Sequence, residues 1–147
     1  MPDRRMVLGS GLALILAGRA DATTPVSTAH AFSFEGIEGG NIDLGQHRGK
    51  LLLVVNTASR CGFTGQYAGL QSLWTRYRAR GLTVVGVPAN DFAGQEPGSN
   101  EDILGFCSSR FGVTFPLAAK SVVLGEGAHP FYRWAAGQRP SETPRWN

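Results

Sequence analysis

Cysteine is scarce in this chain, with only Cys61 and Cys107 among 147 residues. Two thiols cannot build a disulfide-rich scaffold, so the fold must rest on an apolar core. No apolar run reaches the roughly 18 residues that a membrane-spanning helix needs. Charged residues are only 17% of the chain, and no run of Lys and Arg exceeds two residues. The net charge of +3 is therefore not gathered into a nucleic-acid footprint. His30, His47 and His129 share no metal-ligand spacing with each other or with the cysteines, so no metal is expected. Gly36, Gly39 and Gly40 lack the strand–helix context of a dinucleotide site, there is no phosphate-binding Gly-rich loop, and no serine sits at a nucleophile elbow. What is present is 42% hydrophobic and 10% aromatic residues, enough for one domain with a buried core.

The first segment reads as an export signal. Arg4-Arg5 precede an apolar stretch from Met6 to Gly18, and Ala20-Asp21-Ala22 offers a small-residue cleavage site. The paired arginines resemble a twin-arginine signal. Residues 1–22 are accordingly expected to be removed on export, to the periplasm of a bacterium, leaving no stable membrane insertion. Residues 23–31 are small and polar, a flexible lead-in, and 32–147 are expected to form the folded domain.

Within that domain Phe32–Lys50 alternates apolar and polar residues around glycine-rich turns, which predicts a β-hairpin. Leu51–Val55 is a continuous apolar run, the pattern of a central strand buried on both faces. Tyr67, Leu70, Leu73, Trp74 and Tyr77 recur at spacings of three and four, one apolar face of a helix over 66–80, with Thr64 as its expected N-cap and Gly81 as its stop. Leu82–Val87 predicts a second buried strand, parallel to the first across the helix. Ser99 and Asp102 stand at capping-box spacing before a helix whose apolar face is Ile103, Phe106, Cys107 and Phe111. Val113–Leu117 predicts an extended segment, and His129–Ala136 a last helix.

Cys61 falls between the first buried strand and the first helix, at the carboxyl end of the expected sheet, where α/β folds gather their chemistry. A thiol there meets backbone N–H groups and the positive end of a helix dipole, and Arg60 adds charge; all favour the reactive thiolate. Position 64, where a dithiol motif would carry its second cysteine, is threonine, so Cys61 has no exchange partner within its own loop. A lone thiolate can still attack a peroxide and become a sulfenic acid. Cys107, on the apolar face of a helix, reads first as a core residue.

The run Val55-Asn-Thr-Ala-Ser-Arg-Cys61-Gly-Phe-Thr-Gly-Gln-Tyr67 resembles the active-site signature of the glutathione peroxidase family. Val87-Pro-Ala-Asn-Asp-Phe92-Ala-Gly-Gln95-Glu-Pro-Gly98, Phe106-Cys107 with Phe111–Leu117, His129-Pro-Phe-Tyr132 and Trp146-Asn147 match further blocks in the family's order. The resemblance implies an α/β, thioredoxin-like fold: a central mixed sheet with flanking helices, here without the hairpin and helix with which the family ends. It implies a catalytic set of Cys61, Gln95, Trp146 and Asn147, the last three as neutral N–H donors around the sulfur. Position 61 is cysteine rather than selenocysteine, so no cofactor is implied beyond a thiol reductant as co-substrate.

Cys107 matches the resolving cysteine of the thioredoxin-dependent members. The implied activity is reduction of hydrogen peroxide or organic hydroperoxides, with a thioredoxin-like protein or glutathione as reductant. Arg60 and Arg145 are the candidates for binding glutathione's carboxylates. No insertion of the kind that builds the tetrameric members is seen, which implies a monomer. Two other readings stand beside this one. The first is an exported, non-catalytic binding or structural module in which the two cysteines are inert or form a static disulfide. The second is a thiol–disulfide oxidoreductase, which the threonine at 64 disfavours.

Overall fold

Val84, Val85 and Val87 are fully buried in the strand Leu82–Pro88, and their side chains alternate between two separate cores. This is the period-two consequence of a pleated strand covered on both faces. In the computed structural model, which describes residues 27–147, this strand is β4. It is preceded by β1 (Ser33–Glu35), β2 (Asn41–Asp43), β3 (Leu51–Thr57) and helix α1 (Gln66–Tyr77), and followed by α2 (Asn100–Phe111) and α3 (Pro130–Gln138). Residues 1–22, expected from the sequence to be an export signal, lie outside the described residues.

The β3 and β4 strands run parallel, in register from Leu51 opposite Leu82 to Thr57 opposite Pro88. The β1 and β2 strands form the expected antiparallel hairpin. One short extended stretch joins the two pairs. Gly86 donates its N–H to Pro116 and accepts from the N–H of Ala118, at 2.9 and 2.8 Å. On the other side Ile37 donates to Leu117 and Ala119 donates to Glu35, at 2.9 and 2.8 Å. The result is one mixed sheet built around β4. Gly86 makes this possible: a Cβ there would stand 2.7 Å from Leu117 Cδ2 and 3.0 Å from Phe115 Cε2.

On one face, Val85, Val87 and Ala89 pack with Phe34 of the hairpin, Leu44 just after it, Ala118 of the joining stretch, and Phe131 and Tyr132 of α3. On the other, Val84 packs with Tyr67 of α1, Ile103 and Cys107 of α2, and Phe115 and Leu117. Ser99 caps α2 through the reciprocal bonds expected of a capping box, and Gly112 ends it in the left-handed conformation.

Two local expectations need correction. The β3 strand is not buried on both faces: Leu51 is 70% exposed and residues 52–56 are half-buried, because among the described residues β4 is its sole strand neighbour. Five apolar residues in a row signal a strand but not which edge it occupies. Thr64 is not the N-cap of α1. Its hydroxyl turns back to the carbonyls of Ala58 and Cys61, and Gly65 takes the cap position with no side-chain bond.

Two histidines make the fold acid-sensitive. Partial burial lowers the pKa of His47, helped by Lys50 and His30 and opposed by Asp43. Its Nδ1 lies 3.1 Å from the hydroxyl of Thr83, buried in β4. Burial likewise lowers His129, with Arg133 acting in the same direction and the Ser33 backbone against it. The His129 ring stacks on Phe34 at 4.3 Å and its Nδ1 accepts the Phe131 N–H to cap α3. Both groups are lowered in the folded state, so the stability they contribute is present above the unfolded value of about 6.5 and is lost as pH falls through the folded values. The urea midpoint is expected to drop between about pH 7.5 and about pH 5, with His47→Gln and His129→Asn each reducing the slope.

Candidate functional site

The carboxyl ends of β3 and β4 open into two loops, 58–65 and 89–99, which lie side by side. The N–H of Ala89 reaches the carbonyl of Thr57 at 3.0 Å, and that of Arg60 reaches the carbonyl of Gln95 at 3.1 Å. A tight turn at 91–94, with Ala93 and Gly94 both at positive φ, folds the second loop back so that Gln95 meets Arg60.

Cys61 sits half-buried in the first loop. Its carbonyl accepts the N–H of Thr64 at 3.1 Å, closing a turn that separates it from α1. Helix α1 begins at Gln66, five residues after Cys61, and the effect of a helix dipole fades within a turn. A local donor is present instead: the Phe63 N–H points at Cys61 Sγ from 3.4 Å. A main-chain donor at a thiolate is a fixed, non-titrating stabiliser.

Cys61 opens onto a cleft of 370 Å³ at the carboxyl end of β3. Val54, Leu70, Phe131, Ala135 and Ala136 supply its apolar wall. Thr57, Tyr67 and Asn147 bring polar atoms that are buried and without hydrogen-bond partners. Tyr132, whose hydroxyl donates to the Asn56 side chain, ties α3 to the end of β3 beside this cleft.

Of the expected site residues, Trp146 and Asn147 share the cleft with Cys61. Cys61 Sγ donates to the main-chain oxygen of Asn147 at 3.8 Å, while the Asn147 amide has no partner. Trp146 is 63% exposed. Gln95 is held beside the loop through its main chain, and its side chain does not line the cleft. Cys107 is wholly buried and packs against Tyr67 of α1, and burial raises its thiol pKa, with the nearby Tyr67 hydroxyl acting against it. The structure thus keeps Cys107 protonated and out of the cleft.

Tyr67 stands between the two thiols, lining the Cys61 cleft and packing with Cys107 in the core. It stacks on Phe111 at a ring separation of 5.3 Å. Burial raises the pKa of its hydroxyl. Helical spacing marks Tyr67 as a core residue, and nothing in the residue types signals that it also reaches the cleft.

A second cleft, 430 Å³, lies on the far side of the cysteine loop between Ser59, Arg60, Glu96 and Phe106 of α2. Among the described residues no group of three His, Cys, Asp or Glu is placed to hold a metal ion, and no helix is long and apolar enough to cross a membrane.

A family model described as glutathione peroxidase matches residues 29–136, which include Cys61, Gln95 and Cys107. The hydroperoxy fatty acid reductase gpx1 of Synechocystis is 44% identical over 130 residues, covering 82% of this chain and 77% of the relative. The glutathione peroxidase-like peroxiredoxin gpx1 of Schizosaccharomyces pombe is 44% identical over 113 residues, covering 75% and 72%. Among solved structures, T. cruzi GPX1 superposes with a TM-score of 0.61 at 34% identity, over 82% of this chain and 75% of that one. A thioredoxin-family thiol:disulfide interchange protein from Chlorobium tepidum, 18% identical with a TM-score of 0.55 over 73% and 64%, shares the fold. With a half-buried thiol at the end of a parallel strand pair, a thioredoxin-like sheet and these relatives, the chain belongs to the glutathione peroxidase family and is a peroxidase-type oxidoreductase of that family.

Proposed function

We propose that the chain is a thiol peroxidase in which Cys61 reduces a hydroperoxide and Cys107 resolves the product. The observation that carries this reading is Cys61 itself, half-buried at the mouth of a partly apolar cleft with a main-chain N–H aimed at its sulfur. The Cys61 thiolate attacks one peroxide oxygen and the O–O bond breaks. Sulfur is oxidised to a sulfenic acid, and the other oxygen leaves and takes a proton to become water or an alcohol. The unpartnered amide of Asn147 and the hydroxyls of Thr57 and Tyr67 line the same cleft as donors for that charge, with the exposed Trp146 indole beside them. Gln95 joins them on a change of side-chain rotamer, its main chain being already anchored at the loop.

The apolar wall supports organic hydroperoxides as well as hydrogen peroxide, in keeping with the name of the Synechocystis relative. Cys107 then condenses with the sulfenic acid, forming a disulfide and releasing water. Cys107 is fully buried on α2, and local opening of that helix brings it to Cys61 if the two Cα atoms lie beyond the ~7 Å a disulfide tolerates. Gly105 and the exposed Ser108-Ser109 pair lower helix stability on either side of it. A dithiol protein of thioredoxin type reduces the disulfide, with glutathione as the second candidate. The reaction takes place in the periplasm if residues 1–22 direct export.

Stopped-flow oxidation of the reduced chain by a hydroperoxide, followed by peptide mapping, tests this. The expected result is a fast phase ending in a Cys61–Cys107 disulfide. In Cys107→Ser the fast phase remains, a sulfenic acid accumulates at Cys61, and turnover with a dithiol reductant falls about tenfold or more. A wild-type rate no faster than that of a free thiol would overturn the reading in favour of a non-catalytic module.

A further inference from the structure

We infer that Glu96 is the positioning residue of the Cys61 loop, a buried carboxylate that clips the loop to the segment carrying Gln95. The geometry is independent of the peroxidase reading; the consequence for peroxide chemistry rests on it.

Glu96 is 1% exposed although it lies in a loop, where a carboxylate normally faces water. Both of its oxygens are engaged by one residue. The Ser59 N–H donates to Oε2 at 2.9 Å, and the Ser59 hydroxyl donates to Oε1 at 2.7 Å. Ser59 is two residues before Cys61, and Arg60 between them donates its N–H to the Gln95 carbonyl at 3.1 Å. Three consecutive rungs thus fasten the approach to Cys61 onto residues 95–96.

Glu96 is itself held from behind. Its N–H donates to Asn90 Oδ1 at 2.8 Å, and Lys120 Nζ donates to its carbonyl at 3.4 Å and to that of Gly98 at 2.6 Å. Ser59, Arg60 and Lys120 face the carboxylate, and Tyr67 and Cys107 lie within reach of its charge; burial pushes its pKa up, and the Ser59 bonds and the two cations pull it down. Its side chain reaches neither Cys61 Sγ nor the cleft that Cys61 lines. It therefore acts through the loop and not on the reacting atoms.

Burying a carboxylate is a costly way to gain stability, since desolvation offsets most of the attraction. What it provides is a rigid two-point hold. Displacing a reacting sulfur by about 1 Å is enough to cost on the order of a hundredfold in rate. The clip fixes where Cys61 Sγ stands relative to the Phe63 N–H and to Gln95.

The test compares the full reduced chain with Glu96→Ala, Glu96→Gln and Ser59→Ala. Three quantities are read: folding by circular dichroism and urea midpoint, the rate of Cys61 oxidation by hydrogen peroxide, and the pH profile of Cys61 alkylation by iodoacetamide, resolved from Cys107 by mass spectrometry. Glu96→Ala is expected to slow oxidation about tenfold or more and to change the alkylation profile. Glu96→Gln keeps one carbonyl for the Ser59 N–H and an amide that can face the Ser59 oxygen, so it stays within about threefold of wild type. Ser59→Ala retains the N–H rung and falls between them.

A folded Glu96→Ala with wild-type rates and an unmoved profile overturns the inference, because a merely structural role changes the midpoint alone. If Glu96→Ala does not fold, Ser59→Ala decides on the same readouts. The alkylation profile needs no peroxidase activity. A wild type slow with peroxide whose profile still shifts in Glu96→Ala would sink the peroxidase reading and leave the clip standing.

Discussion

Cys61→Ser is expected to lose the fast reaction with hydroperoxide by about a thousandfold or more, with the urea midpoint almost unchanged. Serine fits the site: Cys61 is half-buried in a turn held by main-chain bonds, of Thr64 onto its carbonyl and of Arg60 onto Gln95. The Phe63 N–H still faces the side chain. What is lost is the nucleophile, because a hydroxyl stays protonated at neutral pH where a thiol yields a polarisable thiolate. Cys107 cannot take over, since it has no solvent-exposed surface and its burial holds it as a thiol. Stopped-flow fluorescence beside total thiol counting checks this. A mutant that keeps the wild-type fast phase would move the chemistry to Cys107 and undo the assignment of Cys61.

Phe34→Ala is expected to remove about 3–5 kcal/mol of stability, a large share of the roughly 5–15 kcal/mol of an ordinary domain. Phe34 is 1% exposed and centres an aromatic cluster, stacked on His129 at 4.3 Å and tilted against Phe131 at 5.4 Å. It projects from a three-residue strand, so the hairpin has little else to hold it to the domain. The cavity would sit under α3, whose cap is the His129 ring that Phe34 supports. Since α3 supplies Phe131, Tyr132, Ala135 and Ala136 to the Cys61 cleft, peroxidase activity is expected to fall at temperatures below those that unfold the chain. Urea denaturation measures the first effect and rate against temperature the second. A midpoint shift worth less than about 1 kcal/mol would show that the cluster can collapse around the gap.

Much of the scaffold was legible in the residues. Alternation marked the hairpin, five- and six-residue apolar runs marked β3 and β4, and Ser99 with Asp102 marked the start of α2, because these signals are local: a strand's period, a helix's face and a capping box are each written within a few positions. The place of Cys61 was legible for the same reason, as a lone cysteine in the loop between strand and helix. Its companions were harder. Trp146 and Asn147 do share the Cys61 cleft, but it is the main chain of Asn147 that meets the sulfur, and Gln95 contributes its carbonyl while its side chain stays outside the cleft. Side-chain direction depends on packing between segments distant in sequence.

The sequence by itself determined the sheet-and-helix alphabet of this protein, its family and the cysteine proposed as its nucleophile. Only the tertiary structure decided that β3 is half-exposed, that the Phe63 N–H meets the sulfur, that Tyr67 both lines the Cys61 cleft and packs with Cys107, and that an unremarked glutamate is buried against Ser59. Each of these depends on which surfaces meet across the ends of β3 and β4. Burial and hydrogen bonding at such a junction are properties of two segments together, and neither segment encodes them alone.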